Sequence, residues 1–507
     1  MRCRALLLVL LTATLLRLIP TLLTNEPFST DVWPLIRLSE ELLRNPEFRV
    51  LSSPSLEGYH GRWPATLLEA AILYGGFKQD SRLTNLEPEL YFRYVGVVIT
   101  SACLAILVYV TVKRCAGLRS ALLSTIVLTS IPSFIIFTST ALKEVHSYPL
   151  LTVLIFLLVV GISRSALVLT ALTSLALVIS HPLSPLMFIA FMCSYIFVAV
   201  AKYLGGVGDL PLNLRGPLIF LLILSPVYLT YMTAYGWEGL KYRPGFNDIL
   251  VLGAFSTALY GWYVLLGHGS VGFSVMPLML VVITVLATGT NLVFDWSVAL
   301  YVAPFILLLI PLLVEGGENS PPVLAPILLP ITTATLYIVL ASPVLMSVLH
   351  RVLNYLVIAT IVASSLLSRR GRLLHLYVTI VLAVSLLMSV ATVASVICCG
   401  DSISFYWRYG EGEVLGVRNL VKFFSDGMLC GDVKMQYLVG RDLSVEILCG
   451  FRATQGHTRD TPTLLYLDNF RFGYVLSPVD VYKIKSINRL SMSRALIYSN
   501  VHVFLLK

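Results

Sequence analysis

Residues 92–139 read FRYVGVVITSACLAILVYVTVKRCAGLRSALLSTIVLTSIPSFIIFTS, two apolar runs of about twenty residues joined by a short basic turn. A helix rises about 1.5 Å per residue, so each run is long enough to cross the roughly 30 Å hydrocarbon core of a bilayer. Lys113, Arg114 and Arg119 gather at the turn, and basic residues in short loops mark the cytoplasmic side. Working outward, further apolar runs lie at 1–23, 147–163, 165–181, 183–201, 217–235, 248–266, 272–290, 294–313, 323–342, 344–367 and 373–397. The reading is an α-helical polytopic membrane protein with about thirteen transmembrane helices and its N-terminus inside.

Composition agrees with that reading. Of 507 residues, 57% are hydrophobic and only 12% are charged, whereas a soluble domain carries about 25% charged residues. An ordinary soluble enzyme is excluded, and so is a disordered chain, which would be poor in aliphatic and aromatic residues. The net charge of +9 comes largely from Lys and Arg that flank apolar runs, so nucleic acid is not an expected partner and membrane lipids are. Arg2 and Arg4 precede the first run as in a secretory signal, but Arg17 interrupts it and no small-x-small cleavage site follows, which predicts a retained helix.

The remaining basic turns fit the same orientation. Arg164, Lys202, Arg215 and Arg369-Arg370-Gly371-Arg372 all fall inside, while the 314–322 loop, with Glu315 and Glu318, is the exception. An odd number of crossings puts residues 401–507 outside, as a small extracytoplasmic α/β domain following a membrane domain of residues 1–400. That tail is expected to hold a helix near 413–424, strands at 434–439, 445–449, 463–467 and 495–498, and a closing hairpin through 501–506. The first outer loop, 24–91, contains an amphipathic stretch from Asp31 to Arg44, expected to lie on the outer bilayer surface. Cys430 and Cys449 could pair if that side is oxidising, and two ordinary thiols are the alternative.

Ionisable residues in or beside membrane helices are costly and therefore candidates for function. In this topology Asp31, His60, Lys143, Glu144, His146 and His181 all fall on the outer side. His350 and Arg351 lie roughly 10 Å below the outer end of the 344–367 run by helix rise. Carboxylates, imidazoles and cations on one face suit chemistry on an anionic lipid headgroup. The plainer readings are that Asp31 caps the amphipathic helix before Pro34, that Lys143 and Glu144 form a surface ion pair, and that Arg351 pairs with an acid inside the bundle. His268 and His375 fall on the inner side.

Several short stretches resemble the GT-C superfamily of multi-pass glycosyltransferases, which use polyprenyl- or dolichyl-phosphate-linked sugars. They are Arg17-Leu18 late in the first helix, the loop acid in Ser29-Thr30-Asp31-Val32-Trp33-Pro34, Leu142-Lys143-Glu144-Val145-His146, and Ser180-His181-Pro182-Leu183. The tail Leu496-Ile497-Tyr498-Ser499-Asn500-Val501 is similar to the closing hairpin of archaeal members. The resemblance implies Asp31 as catalytic base and a basic residue holding the donor phosphate, for which topology, not motif, selects Arg351, with Lys143 beside it. The resemblance matches Glu144 to a further acid of the family, with His146, His181, His60, His350 and Trp33 expected beside it to line the site or receive the acceptor. It leaves open a divalent metal ion, for which Asp31 and Glu144 would be ligands, although Lys143 stands where a second acid would be expected. No Trp-Trp-Asp motif occurs in the tail, which favours a lipid or saccharide acceptor over protein.

The expected activity is transfer of a hexosyl or pentosyl group with inversion, and the expected location is the cell membrane. A transporter or lipid flippase, and a non-catalytic scaffold built on the same frame, are the competing classes.

Overall fold

The computed structural model describes residues 2–52 except 25, 46 and 48, then 58–77, 88–161, 163–204, 214–266 except 241–242, 304–309 except 306, 324–342 and 346–398. In the C-terminal part it describes 408–423, 428–431, 433–439, 444–446, 462–466, 474–476, 481–483, 496–499 and 503–506. Among these residues eight helices are long and apolar enough to cross a membrane: Leu6–Thr24, Pro88–Ala116, Lys143–Val160, Leu183–Ala201, Arg215–Gly239, Leu324–Ala341, Val348–Leu367 and Arg372–Ala394. Each coincides with an expected span. The runs at 165–181 and 248–266 are the helices Arg164–Ser180 and Phe246–Leu266. The 272–290 run lies outside the described residues, as does most of 294–313.

The expected 118–139 span is not one helix. It is a bent pair, Leu118–Ser130 and Pro132–Thr138, turned by 71°. Pro132 is the cause, because proline has no N–H to continue the ladder and pushes the preceding residue out of the helical region. Ile131 is accordingly extended. The carbonyl of Leu128, which would have bonded to residue 132, is left without its helical donor. Arg17, buried on α1 (Arg2–Thr24), supplies one: its Nη2 donates to Leu128 O at 3.0 Å, its Nη1 to Ala13 O at 3.0 Å and its Nε to Thr138 Oγ1 at 2.6 Å. The residue that interrupts the first apolar run therefore stabilises a break in another helix.

The amphipathic stretch forms α2 (Val32–Arg44), but not at a lipid surface. Its apolar face, with Val32, Leu35, Ile36 and Leu38 buried, packs into the main core beside Leu67, Ala70 and Tyr74 of the helix Ala65–Phe77. The loop between the first two spans contributes both helices, so the face is covered by protein.

In the C-terminal part the helix Glu411–Phe423 precedes β1 (Met428–Cys430). Then come β2 (Ser444–Glu446), β3 (Thr463–Tyr466), the hairpin strands β4 (Tyr474–Leu476) and β5 (Val481–Lys483), and β6 (Leu496–Ser499) and β7 (Val503–Leu506). The larger sheet has the order β2-β1-β3-β7-β6. β1 runs parallel to β2 and β3, and β7 runs antiparallel to β3 and β6. The expected strand at 434–439 is instead the helix Val433–Val439. A parallel β1–β2 pair needs a crossover, and this helix provides it. The helix is buried on all sides from Lys434 to Val439, with Met435, Tyr437, Leu438 and Val439 in the core of this part.

Trp33 of α2 enters this second core, its ring edge-on to Tyr409 at 5.7 Å. Arg37, one turn on, donates to the Tyr437 carbonyl. α2 is thus wedged between the membrane helices and the C-terminal part, and Asp31 is the residue at its start.

Candidate active site

Chain direction brings the site to one end of the bundle. α1 ends just before Asp31, the helix Lys143–Val160 begins there, Arg164–Ser180 ends there and Leu183–Leu204 begins there. The 344–367 run is broken at Tyr355 into Met346–Asn354 and Leu356–Arg370, and the first piece carries Arg351. Asp31, His60, Phe137, Leu142, Lys143, Glu144, His181 and Arg351 line one small cavity. The space open to the centre of a water-sized sphere is about 10 Å³, enough for about one water.

Arg351 is the hub. Its Nη2 donates to Asp31 Oδ2 at 2.9 Å, and its Nε lies 3.8 Å from Glu144 Oε2. Asp31 is the N-cap residue of α2 by position, yet its side chain makes no capping hydrogen bond. The carboxylate faces the cavity instead, so capping is not its role. Lys143 and Glu144 are not a surface pair: both are buried. The Lys143 ammonium sits over the Trp63 ring at 5.6 Å, and Tyr148 Oη donates to Glu144 Oε1 at 3.0 Å. His181 is buried with Nε2 3.7 Å from Glu144 Oε2, and neither ring nitrogen has a hydrogen-bond partner among the described residues.

Three expected site residues lie elsewhere. His146, on the far side of the first turn from Glu144, pairs through Nδ1 with Glu69 Oε2 at 2.9 Å. Burial alone would raise the Glu69 carboxyl; the neighbouring His146, with the Tyr91 hydroxyl, brings it below its ordinary value. His350 is not in the cavity lining and packs edge-on against Phe137, which is, at 5.7 Å. Trp33 belongs to the C-terminal core. Two neighbours escape sequence reasoning. Tyr437 stacks edge-on against His60 at 5.5 Å, bringing the C-terminal part to the cavity wall, and no local pattern signals it. Phe137 is brought in by the bend at Pro132, for which Pro132 was the available signal.

A divalent ion between Asp31 and Glu144 does not fit this arrangement. The Arg351 guanidinium stands between the two carboxylates. Among the described residues, no three His, Cys, Asp or Glu side chains converge to hold a metal ion.

Fold and site together define a multi-pass membrane protein with an acid–guanidinium cluster at one end of its bundle. Two solved structures align with 99% of this chain and 97% of their own. They are ArnT from Cupriavidus metallidurans bound to undecaprenyl phosphate, at 12% identity and a TM-score of 0.41, and the same protein in the apo state, at 12% identity and a TM-score of 0.42. No family model matches the chain, and no curated protein does.

Proposed function

We propose that this protein is a membrane glycosyltransferase that moves a hexosyl or pentosyl group from a polyprenyl-phosphate donor to a lipid or saccharide hydroxyl. The observation that carries the reading is the Asp31–Arg351 pair at 2.9 Å in a cavity where α1 leaves the membrane bundle. An acid that could accept a proton and a permanent cation that could receive a phosphate stand side by side, where a lipid headgroup would arrive. The undecaprenyl phosphate bound by ArnT is a ligand of the same class.

In the proposed step Arg351 and Lys143 engage the donor phosphate. The acceptor oxygen attacks the anomeric carbon, its proton passes to Asp31, and a C–O bond to the acceptor forms as the C–O bond to phosphate breaks. The departing phosphate keeps that electron pair, and the negative charge it gains falls against the guanidinium, a preorganised cation. Attack opposite the leaving group inverts the anomeric centre. Because Asp31 is already held by Arg351, phosphate competes with the carboxylate for the same N–H groups, and donor binding frees the base. Donor binding before acceptor follows from that competition.

We place the reaction on the outer face, with the C-terminal part there too. In support, the basic turns cluster at the opposite helix ends, and Cys430 is disulfide-bonded, as suits an oxidising space. A transporter reading is disfavoured by a cavity at one end of the bundle rather than at its midplane.

The test is incubation of the purified protein with labelled polyprenyl-phosphate sugars and candidate acceptors. Asp31→Asn should reduce transfer by at least about 10²-fold, the usual effect of losing a general base. The Asn side-chain oxygen can still accept from the Arg351 guanidinium, so melting should change far less than transfer. Transfer at the parent rate by the Asn variant would remove Asp31 from the mechanism.

A further inference from the structure

We propose that the Arg351 guanidinium takes the place of a divalent cation in this site, so that the reaction runs on a covalently attached cation; the inference rests on the glycosyltransferase reading above.

Carboxylate and imidazole are residue types that ligate cations, and Asp31, Glu144 and His181 all line this cavity without converging on one point. Here Asp31 Oδ2 and Glu144 Oε2 approach two different nitrogens of one planar group, at 2.9 and 3.8 Å, and His181 Nε2 lies 3.7 Å from the same Glu144 oxygen. A divalent ion would need such oxygens at about 2.0–2.6 Å from a common centre, and that centre is filled by the guanidinium. Charge leads to the same conclusion. With both acids ionised, Asp31 and Glu144 are matched by Arg351 and Lys143, which line the same cavity. Before a donor phosphate arrives, a further two positive charges would have no carboxylate left to balance them. Arg keeps its charge at every working pH, so the counter-charge for a departing phosphate is permanent.

Manganese alone is the probe, titrated by calorimetry or electron paramagnetic resonance into purified, chelator-treated full-length protein. The parent should show no saturable site, and its transfer activity should be unchanged by chelation. Arg351→Ala should open the space between the carboxylates and create a saturable manganese site, which Arg351→Ala with Asp31→Asn should lose. Saturable binding by the parent that Asp31→Asn abolishes would overturn the inference, as would loss of transfer on chelation with recovery in manganese. A folded Arg351→Ala protein that binds no manganese would overturn it too. Should Arg351→Ala not fold, the parent titration still decides, and Arg351→Lys, which retains a cation, should likewise bind none. The manganese titration reads no sugar transfer. A preparation that transfers no sugar defeats the functional reading; one that transfers sugar only with manganese defeats this inference alone.

Discussion

At the residue scale, Arg351 is the most informative side chain because its depth and permanent charge demanded an anion. It has two candidate anions, and both border the cavity. Arg351→Lys keeps the charge but loses the planar fork that meets carboxylate and phosphate oxygens in pairs. Donor affinity should fall by about tenfold or more, the cost of one charge-assisted hydrogen bond. Isothermal titration with a polyprenyl phosphate checks this, and unchanged affinity would mean that the phosphate binds elsewhere. Glu69 offers a second residue-scale expectation. Its carboxyl is held below its ordinary value by His146 and Tyr91, after burial has worked in the opposite direction. A depressed carboxyl contributes stability that is present above its unfolded pKa and lost as pH falls through the folded one. Melting temperature should therefore drop as pH goes below about 4.5 in the parent, and less steeply in Glu69→Gln.

At the scale of elements, the bent pair is the place where sequence and structure diverge most usefully. Length and apolarity made 118–139 a single span, and both criteria were met; what they do not count is the hydrogen bond that Pro132 removes. Arg17 meets that loss from another helix, across a sequence separation no local pattern reveals. The amphipathic period of α2 was legible, but the identity of what covers its face was not, since lipid and protein satisfy the same pattern. The acids and cations of the site were legible from their cost in a membrane. Tyr437 was not, because its place depends on how a crossover helix docks on α2. Arg17→Leu tests the bend: it strands the buried Leu128 carbonyl and removes the bond to the buried Thr138 hydroxyl. Each buried group left unsatisfied costs about 1–3 kcal/mol, so the variant should melt clearly earlier than the parent. Equal melting temperatures would show that the bend holds without Arg17.

At the scale of the molecule, α2 joins two cores. Leu35 and Ile36 belong to the membrane bundle, Trp33 to the C-terminal part, and Asp31 is two residues from Trp33. Removing Trp33 should therefore act on the site as well as on stability. Trp33→Ala would cost about 3–5 kcal/mol if the cavity stays open, as for other buried aromatics. Transfer by the surviving folded protein should fall because the helix start that positions Asp31 loses its anchor. Orientation is the remaining question at this scale, and two exposed leucines can report it. Leu373 follows the basic turn at Arg369–Arg372, and Leu415 lies on the helix Glu411–Phe423. In a background with Cys3, Cys103, Cys115, Cys193, Cys398 and Cys399 all replaced, Leu415→Cys should react with a membrane-impermeant maleimide in intact cells. Leu373→Cys should react only after permeabilisation, as the basic turn beside it requires. The reverse pattern would put the Asp31–Arg351 cavity on the cytoplasmic side, where the donor would have to present its sugar from the inner leaflet.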